Sequence, residues 1–175
     1  MSDSALQLKA HPAKNFLCTE NISRADSTVK EIFDMMFGLE IRVIDCPLDD
    51  DGQIEPDDKT AIVGFSGSLR GSCQLRINQL AAHSIASAML GGIPVADDNE
   101  SLNDALGELC NMLAGGWKNG IANLSAACAL SPPTIVSGLD YKIHMAKPSE
   151  KLCRTYQFGP HTVHLTFYRE IRTRS

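Results

Sequence analysis

The amino-acid sequence predicts an α/β (α+β) fold, a two-layer sandwich with long helices on one face of a mostly antiparallel sheet. Segments with the 3.6-residue period of a helix alternate with segments that have the two-residue period of a strand. The order helix, strand, loop, two strands occurs twice, over residues 27–77 and 101–171, with another helix at 78–90 between the copies. Such an internal pseudo-two-fold repeat places two similar helices on one face of the sheet.

Composition limits the classes of protein to which this chain can belong. With 175 residues, 43% hydrophobic and 21% charged, it is long and apolar enough to form one domain with a core. A net charge of -5 without a basic patch argues against nucleic acid as a partner. The six cysteines include no CxxC pair, which favours buried thiols in a reducing compartment over disulfides or a zinc site.

The N-terminal region lacks a hydrophobic targeting signal. Residues 1–22 contain neither the apolar run of a signal peptide nor a sustained periodicity, and no segment of the chain is long and apolar enough to span a membrane. We therefore expect a cytoplasmic protein without membrane association, in which residues 1–22 form a tail or a strap and residues 23–175 a single domain.

The first helix is predicted from Ser27 to a stop at Gly38, and Thr28 with Glu31 has the spacing of a capping box. Residues 49–58 form an acidic loop by composition, and Asn78 is a candidate N-cap for the helix at 78–90. The predicted strands are 39–43, 61–66, 71–77, 134–137, 152–158 and 162–168.

The stretch from Ser101 to Leu124 predicts the central helix. Its apolar face is formed by seven residues, and five residues with polar or absent side chains lie on the opposite face. The apolar residues are Leu102, Leu106, Leu109, Leu113, Trp117, Ile121 and Leu124. The opposite ridge consists of Asp104, Glu108, Asn111, Gly115 and Lys118.

Glu108 and Asn111 are three residues apart, so a helix points both side chains the same way. Glycine costs about 1 kcal/mol relative to alanine inside a helix. The glycines at 107, 115 and 116 therefore predict a place where another surface approaches closely. An ordinary solvated helix face with incidental glycines is the alternative interpretation.

The motif Asp104-xxx-Glu108-xx-Asn111, followed by Pro132-Pro133, resembles the signature of the CheC/CheX/FliY family of chemotaxis phosphatases. Residues 64–92 resemble the strand, hairpin and helix that precede this signature in CheX-like members, and the similarity extends over residues 26–171. The resemblance implies a pseudo-symmetric fold, a homodimer, and hydrolysis of the aspartyl phosphate of a CheY-like response regulator.

The resemblance and the side-chain chemistry together suggest roles for the ridge. Asn111 is the candidate for positioning the attacking water, since its amide accepts from water and donates to a phosphoryl oxygen. Glu108 is expected to pair with the regulator's lysine, and accepting a proton from the water is the alternative. We expect magnesium on the partner regulator and neither a metal nor another cofactor on this chain.

The remaining ridge residues are candidates for binding the partner. Asp104 either contacts the partner or completes a capping box with Ser101. Gly115 leaves room for an approaching surface, and Lys118 is expected to meet solvent or an anionic rim of the partner.

The first helix carries a related pair, Glu31 and Asp34, for which we expect no activity because an ionised aspartate has no hydrogen-bond donor. Two other functions stay open. The chain could be a non-catalytic module that docks on a receiver domain or a flagellar-switch component, or a purely structural dimerisation domain.

Overall fold

The structure is a computed structural model, and it describes residues 16–44, 58–95, 99–121, 127–138, 141–144 and 149–171. Eleven elements follow one another in these ranges. They are helix α1 (Thr19–Ile32), a π-helical turn (Phe33–Phe37), β1 (Arg42–Ile44), β2 (Asp58–Gly67), β3 (Gly71–Asn78), α2 (Gln79–Met89), α3 (Asn99–Gly120), β4 (Cys128–Leu130), β5 (Thr134–Ser137), β6 (Ser149–Phe158) and β7 (His161–Glu170).

The seven strands form one sheet in the order β1, β6, β7, β3, β2, β4, with β5 also paired to β2. Every pairing is antiparallel. This strand order is compatible with the predicted repeat. Exchanging β1 with β4 or β5, β6 with β2, and β7 with β3 gives the same order of strands read from the other end of the sheet. The repeat itself stays a prediction.

All three helices contact the same face of the sheet. Trp117 of α3 stacks on Phe167 of β7 with ring centroids 4.2 Å apart, and Ser84 of α2 hydrogen-bonds His161 on the same face of that strand. Asp26 of α1 accepts a hydrogen bond from Tyr156, which lies on this face of β6. The predicted fold class, helices on one face of a mostly antiparallel sheet, is therefore confirmed.

The core lies between α3 and the alternating inward residues of the strands. The inward apolar side chains of β2, β3 and β7 are at most 5% exposed, because the strand period sends every second residue toward the helices. They are Ala61, Val63, Phe65, Cys73, Leu75, Ile77, Val163, Leu165 and Phe167.

The start of α1 differs from the prediction. The helix begins at Thr19, so the predicted boundary between residues 22 and 23 falls inside it. Thr28 is a buried residue within the helix and not its N-cap, and the capping box with Glu31 is therefore wrong. Phe16, just before the helix, packs edge-on against Trp117. The described end of the N-terminal segment thus belongs to the core.

Most other predicted elements are present. Asn78 caps α2 by accepting from the backbone amide of Ala81, and Gly38 ends the first helical segment with a φ of 61°. The strand β5 has its predicted bounds, whereas the short strand β4 was missed. Residues 1–15 and 45–57, which include the acidic loop except Asp58, lie outside the described residues.

Candidate functional site

The helix α3 is anchored by its apolar face. Five of its predicted apolar residues are at most 1% exposed, so the helix is fixed over four turns by burial of large side chains. They are Leu102, Leu106, Leu109, Leu113 and Trp117. Ile121 is partly buried against the core, and Leu124 lies outside the described residues. Trp117 is a core residue, as predicted, and donates its indole N–H to the Asn21 carbonyl.

Glu108 and Asn111 lie on the opposite side of α3. Glu108 is exposed and Asn111 is half-buried, and the helix is regular from Asn99 to Gly120, so the two side chains leave the same side one turn apart. Neither side chain has a hydrogen-bond or ion-pair partner within the described part of the chain. Their polar groups are therefore available to another molecule.

The structure gives Asp104 a different local setting from the one predicted. Because α3 begins at Asn99, Ser101 lies within the first turn, and the capping box with Asp104 is wrong. Asp104 is exposed one turn before Glu108. Contact of Asp104 with a partner stays a prediction.

Lys118 is engaged within the molecule. Its ammonium donates to the backbone carbonyl of Cys128 at a nitrogen to oxygen distance of 3.0 Å, and the side chain is half-buried. The bond ties the start of β4 to the last turn of α3. Lys118 therefore has a neighbour within the molecule, in addition to any solvent or partner. A contact of Lys118 with a partner stays a prediction.

The helix glycines serve different purposes. A Cβ atom on Gly116 would lie 2.7 Å from Thr28 Cγ2, and one on Gly107 would lie 3.1 Å from Pro133 Cγ. These two glycines make room for the chain itself, so their interpretation as openings for another surface is wrong. A Cβ on Gly115 would meet only Leu130, at 3.8 Å. Gly115 alone among the three is compatible with the predicted role.

A surface that the sequence analysis missed borders Asn111. We call Leu130, Ser131, Pro132 and Pro133 the proline wall. The wall passes Gly115 at Leu130 and Gly107 at Pro133, and Asn111 lies between these glycines on the same row of the helix. A helix glycine four residues before Asn111, together with a Pro-Pro pair, is the signal that pointed to this packing.

The comparisons with known proteins agree with this arrangement. Residues 59–157 match the model of a family described as chemotaxis phosphatase CheX. The chain belongs to the CheX family. Asp104, Glu108, Asn111, the glycines and the proline wall all lie within the matched residues.

A curated relative agrees with the CheX family assignment. The CheY-P phosphatase CheX of Thermotoga maritima is 34% identical over 88 residues, which are 50% of this chain and 57% of that protein. The match therefore spans little more than half of the relative's length.

Two solved structures share the fold of this CheX-family chain. A CheC-like superfamily protein from Shewanella sp. PV-4 has a TM-score of 0.73 and 22% identity, over 89% of this chain and 100% of that chain. The CheX-CheY-BeF3-Mg complex from Borrelia burgdorferi has a TM-score of 0.65 and 18% identity, over 86% and 98% respectively. At these identities the similarity shows the fold alone.

The two histidines of β7 lie on opposite faces of the sheet. His161 Nε2 lies 2.9 Å from Ser84 Oγ beneath α2, whereas His164 Nδ1 lies 3.2 Å from Thr155 Oγ1 on the opposite face of the sheet. Burial and the nearby Arg76 lower the pKa of His164 to about 4. Within the described residues, no group of three potential metal-ligating side chains comes together.

No helix in the described ranges combines the length and the apolar character that crossing a membrane requires. The five described cysteines are free thiols. Cys73, Cys110 and Cys128 are buried, as predicted, whereas Cys18 and Cys153 are half-buried, and Cys46 lies outside the described residues.

Proposed function

We propose that this chain is a phosphatase that accelerates hydrolysis of the aspartyl phosphate on a CheY-like response regulator. Its family is described as chemotaxis phosphatase CheX, and the relative from Thermotoga maritima is named a CheY-P phosphatase. A structural neighbour is a complex of CheX with CheY. The observation that carries the proposal is the pair of Glu108, exposed, and Asn111, half-buried, on the polar ridge of a helix fixed by its buried face, with no partner for either side chain among the described residues.

An aspartyl phosphate is an acyl phosphate, and its hydrolysis requires a water molecule in line with the phosphorus. Attack by the water oxygen forms a new bond to phosphorus and breaks the bond between phosphorus and the aspartyl oxygen. This releases inorganic phosphate and restores the aspartate side chain of the regulator. The Asn111 carboxamide is suited to this step because its oxygen accepts from the water and its nitrogen donates to a phosphoryl oxygen. Holding the water in this geometry lowers the entropic cost of attack.

Glu108 is proposed to dock the two proteins in register. Its exposed carboxylate is one turn from Asn111, so an ion pair with the regulator's lysine brings the carboxamide to the phosphoryl group. Asp104 and Gly115 extend the contact along the same ridge. The competing role for Glu108 is to accept a proton from the attacking water, which requires it to lie within hydrogen-bond distance of that water.

We assign magnesium to the acidic pocket of the regulator. At phosphoryl-transfer sites magnesium is held by one or two carboxylates together with the phosphate and water, and we place those carboxylates on the regulator because the aspartyl phosphate is there. The residues of this chain therefore act on the substrate by positioning and hydrogen bonding. We also propose the homodimer implied by the family resemblance, which sedimentation at several concentrations tests directly.

The decisive experiment measures phosphate release from phosphorylated receiver domains, one at a time, with wild-type and Asn111→Ala protein. Loss of a group that positions the attacking water is expected to lower the accelerated rate by about 100-fold. Asn119→Ala is the matched control, since Asn119 is an exposed asparagine on the same helix.

The outcomes separate the candidate functions. An Asn111→Ala protein that is folded, binds the regulator and keeps the wild-type rate contradicts the phosphatase proposal. Binding to a receiver domain without acceleration by the wild-type protein indicates the non-catalytic docking module. An absence of binding to every receiver domain indicates a structural dimerisation domain.

A further inference from the structure

The proline wall runs beside the row of α3 that carries Asn111. Lys118 bonds the carbonyl of Cys128, Gly115 faces Leu130, and Gly107 faces Pro133. The chain therefore follows α3 in the opposite direction for about three turns. Asn111 lies between the two glycines of this row, and it is half-buried although Glu108, one turn before it, is exposed.

The wall is attached to β2 on its other side through Ser131. The Ser131 amide donates to the Gly64 carbonyl at 2.9 Å, and the Ser131 hydroxyl accepts from the Gly64 amide at 2.9 Å. The same hydroxyl donates to the Pro132 carbonyl at 2.8 Å. One side chain therefore joins β2 to the Pro-Pro segment.

The outer side of the wall is open. Ser131, Pro132 and Pro133 are exposed, and the two prolines have restricted φ angles, so the segment is stiff without being buried. On the inner side, Pro133 occupies the space left by Gly107, where an alanine Cβ would lie only 3.1 Å from its ring. A stiff surface that contacts α3 one turn before Asn111 restricts where the Asn111 side chain can lie.

We propose that Ser131 is a positioning residue, which through the Pro132-Pro133 segment holds the Asn111 carboxamide in the orientation required for water attack. The inference rests on the proposed phosphatase function and adds to it a second element, distant in sequence from the helix motif. Ser131 does not contact the substrate in this proposal. Its effect is on the precision with which Asn111 is placed, and precision of placement controls the rate more than it controls binding.

The test compares binding with turnover in Ser131→Ala. The variant removes the hydroxyl that Gly64 and Pro132 share, while the backbone bond to Gly64 remains. With excess protein and phosphorylated regulator, we expect the rate constant for phosphate release to fall about tenfold, the loss caused by a small misplacement. The dissociation constant for the beryllofluoride-loaded regulator is expected to change by less than about threefold, since docking contacts remain.

Two companion variants show whether the effect depends on the hydroxyl. Ser131→Thr keeps a hydroxyl and is expected to restore the rate to within about twofold of wild type. Ser66→Ala removes an exposed hydroxyl from the same strand as Gly64, and that hydroxyl has no bond to the described residues. This control is expected to retain the wild-type rate.

NMR provides a readout that a general loss of stability does not produce. In folded Ser131→Ala, the side-chain amide signal of Asn111 is expected to broaden or shift, while that of Asn119 is unchanged. A wild-type rate for Ser131→Ala overturns the inference, and so does an equal loss of binding and turnover. If Asn111→Ala lowers the rate of phosphate release but Ser131→Ala keeps the wild-type rate, only this inference fails. If Asn111→Ala is fully active, the phosphatase proposal fails first.

Discussion

Helices α1 and α3 lie on the same face of the sheet and carry related polar pairs, but they differ in regularity. The helix α3 is continuous over 22 residues, so Glu108 and Asn111 share one helical geometry. The helix α1 ends at Ile32 and continues as a π-helical turn, which separates Glu31 from Asp34. A widened turn changes the direction in which the following side chains point. Similar spacing in sequence therefore does not produce the same pair in space.

The two helices also differ in how they are anchored. Both bury apolar side chains, but those of α3 are larger, and α1 adds to its buried Ala25 and Val29 an ion pair in which Arg154 donates twice to the Asp26 carboxylate, at 2.9 and 2.6 Å. Burial and the Asp26 carboxylate raise the pKa of Tyr156, so its hydroxyl remains a neutral donor to Asp26. We infer that α3 presents the active groups and that α1 supports it.

The largest expected effect comes from giving α3 the polar pair of α1. Asn111→Asp replaces a neutral amide by a carboxylate, which repels the phosphoryl group and lacks a donor. We expect the accelerated rate of phosphate release to fall by about 100-fold or more, which corresponds to about 2.7 kcal/mol of activation free energy. The matched control is Asn119→Asp, with the same charge change on an exposed site of the helix.

The reverse exchange sharpens the same comparison. Asp34→Asn in the Asn111→Ala background creates a Glu-xx-Asn motif on the first helix, but the π-helical turn still separates its members. We expect no recovery of activity. Recovery would show that the turn does not prevent a second site from working.

The second effect concerns how α1 is attached. Asp26→Ala leaves the Arg154 guanidinium and the Tyr156 hydroxyl without their shared acceptor, and we expect the free energy of unfolding to fall by about 2 kcal/mol. Urea denaturation measures the change. Glu20→Ala, which removes a solvent-exposed ion pair with Arg24, is the control and is expected to cost less than about 0.5 kcal/mol. Equal losses in the two variants would contradict the anchoring role of Asp26.

A third effect distinguishes adjacent glycines of α3. In Gly116→Ala the new methyl group meets Thr28 of α1 at 2.7 Å, so overpacking exceeds the gain in helix propensity and we expect a net loss of about 1 kcal/mol. In Gly115→Ala the nearest atom is 3.8 Å away, and a stabilisation of up to about 1 kcal/mol is expected. Urea denaturation of the two variants should therefore give changes of opposite sign. The same sign in both would show that Thr28 moves aside.

The effect that is smallest at neutral pH lies on the face of the sheet that carries neither helix. The folded pKa of His164, about 4, is below its ordinary value of about 6.5, so the unfolded state binds more protons between these values. The stability contributed by neutral His164 is present above pH 6.5 and is lost as the pH falls toward 4. Protonation of His164 changes the free energy of unfolding by at most about 1.4 kcal/mol per pH unit.

His164→Gln is expected to remove this part of the pH dependence. We expect the unfolding free energy of the wild type to fall relative to that of the variant between pH 6.5 and 5, with unchanged phosphatase rates at pH 7.5. A variant whose pH dependence parallels that of wild type would show that His164 is not the responsible group. A changed rate would show that the outer face of the sheet affects the ridge.

The regular patterns were predictable, and the irregular ones were not. The apolar stripe of α3 and the strands β2, β3 and β7 depend on local periodicity, so the buried face of this helix and the existence of these strands were correctly predicted. The start of α1 was missed because its first turns are polar and are held by distant contacts. The Asn21 carbonyl accepts a hydrogen bond from the Trp117 indole, and the Asp26 carboxylate forms an ion pair with Arg154. The strand β4 was missed because three residues are too few to show an alternation.

In the candidate site, too, the local features were predictable and the long-range contacts were not. The spacing of Glu108 and Asn111 was enough to place both side chains on one exposed side of a helix, since that relation is set within one turn. The contacts of Gly107 with Pro133 and of Gly116 with Thr28 join residues far apart in sequence, and no local pattern reports them.

By itself, the sequence determined the fold class, the buried face of α3 and the pair that it exposes, because hydrophobic periodicity acts over neighbouring residues. Only the tertiary structure decided which glycines accommodate the chain itself, how Lys118 is used, and that the proline wall runs beside the row of α3 that carries Asn111. Those features arise where β4, β5 and α1 pack against α3, and packing depends on the shapes of surfaces that meet only after the chain has folded.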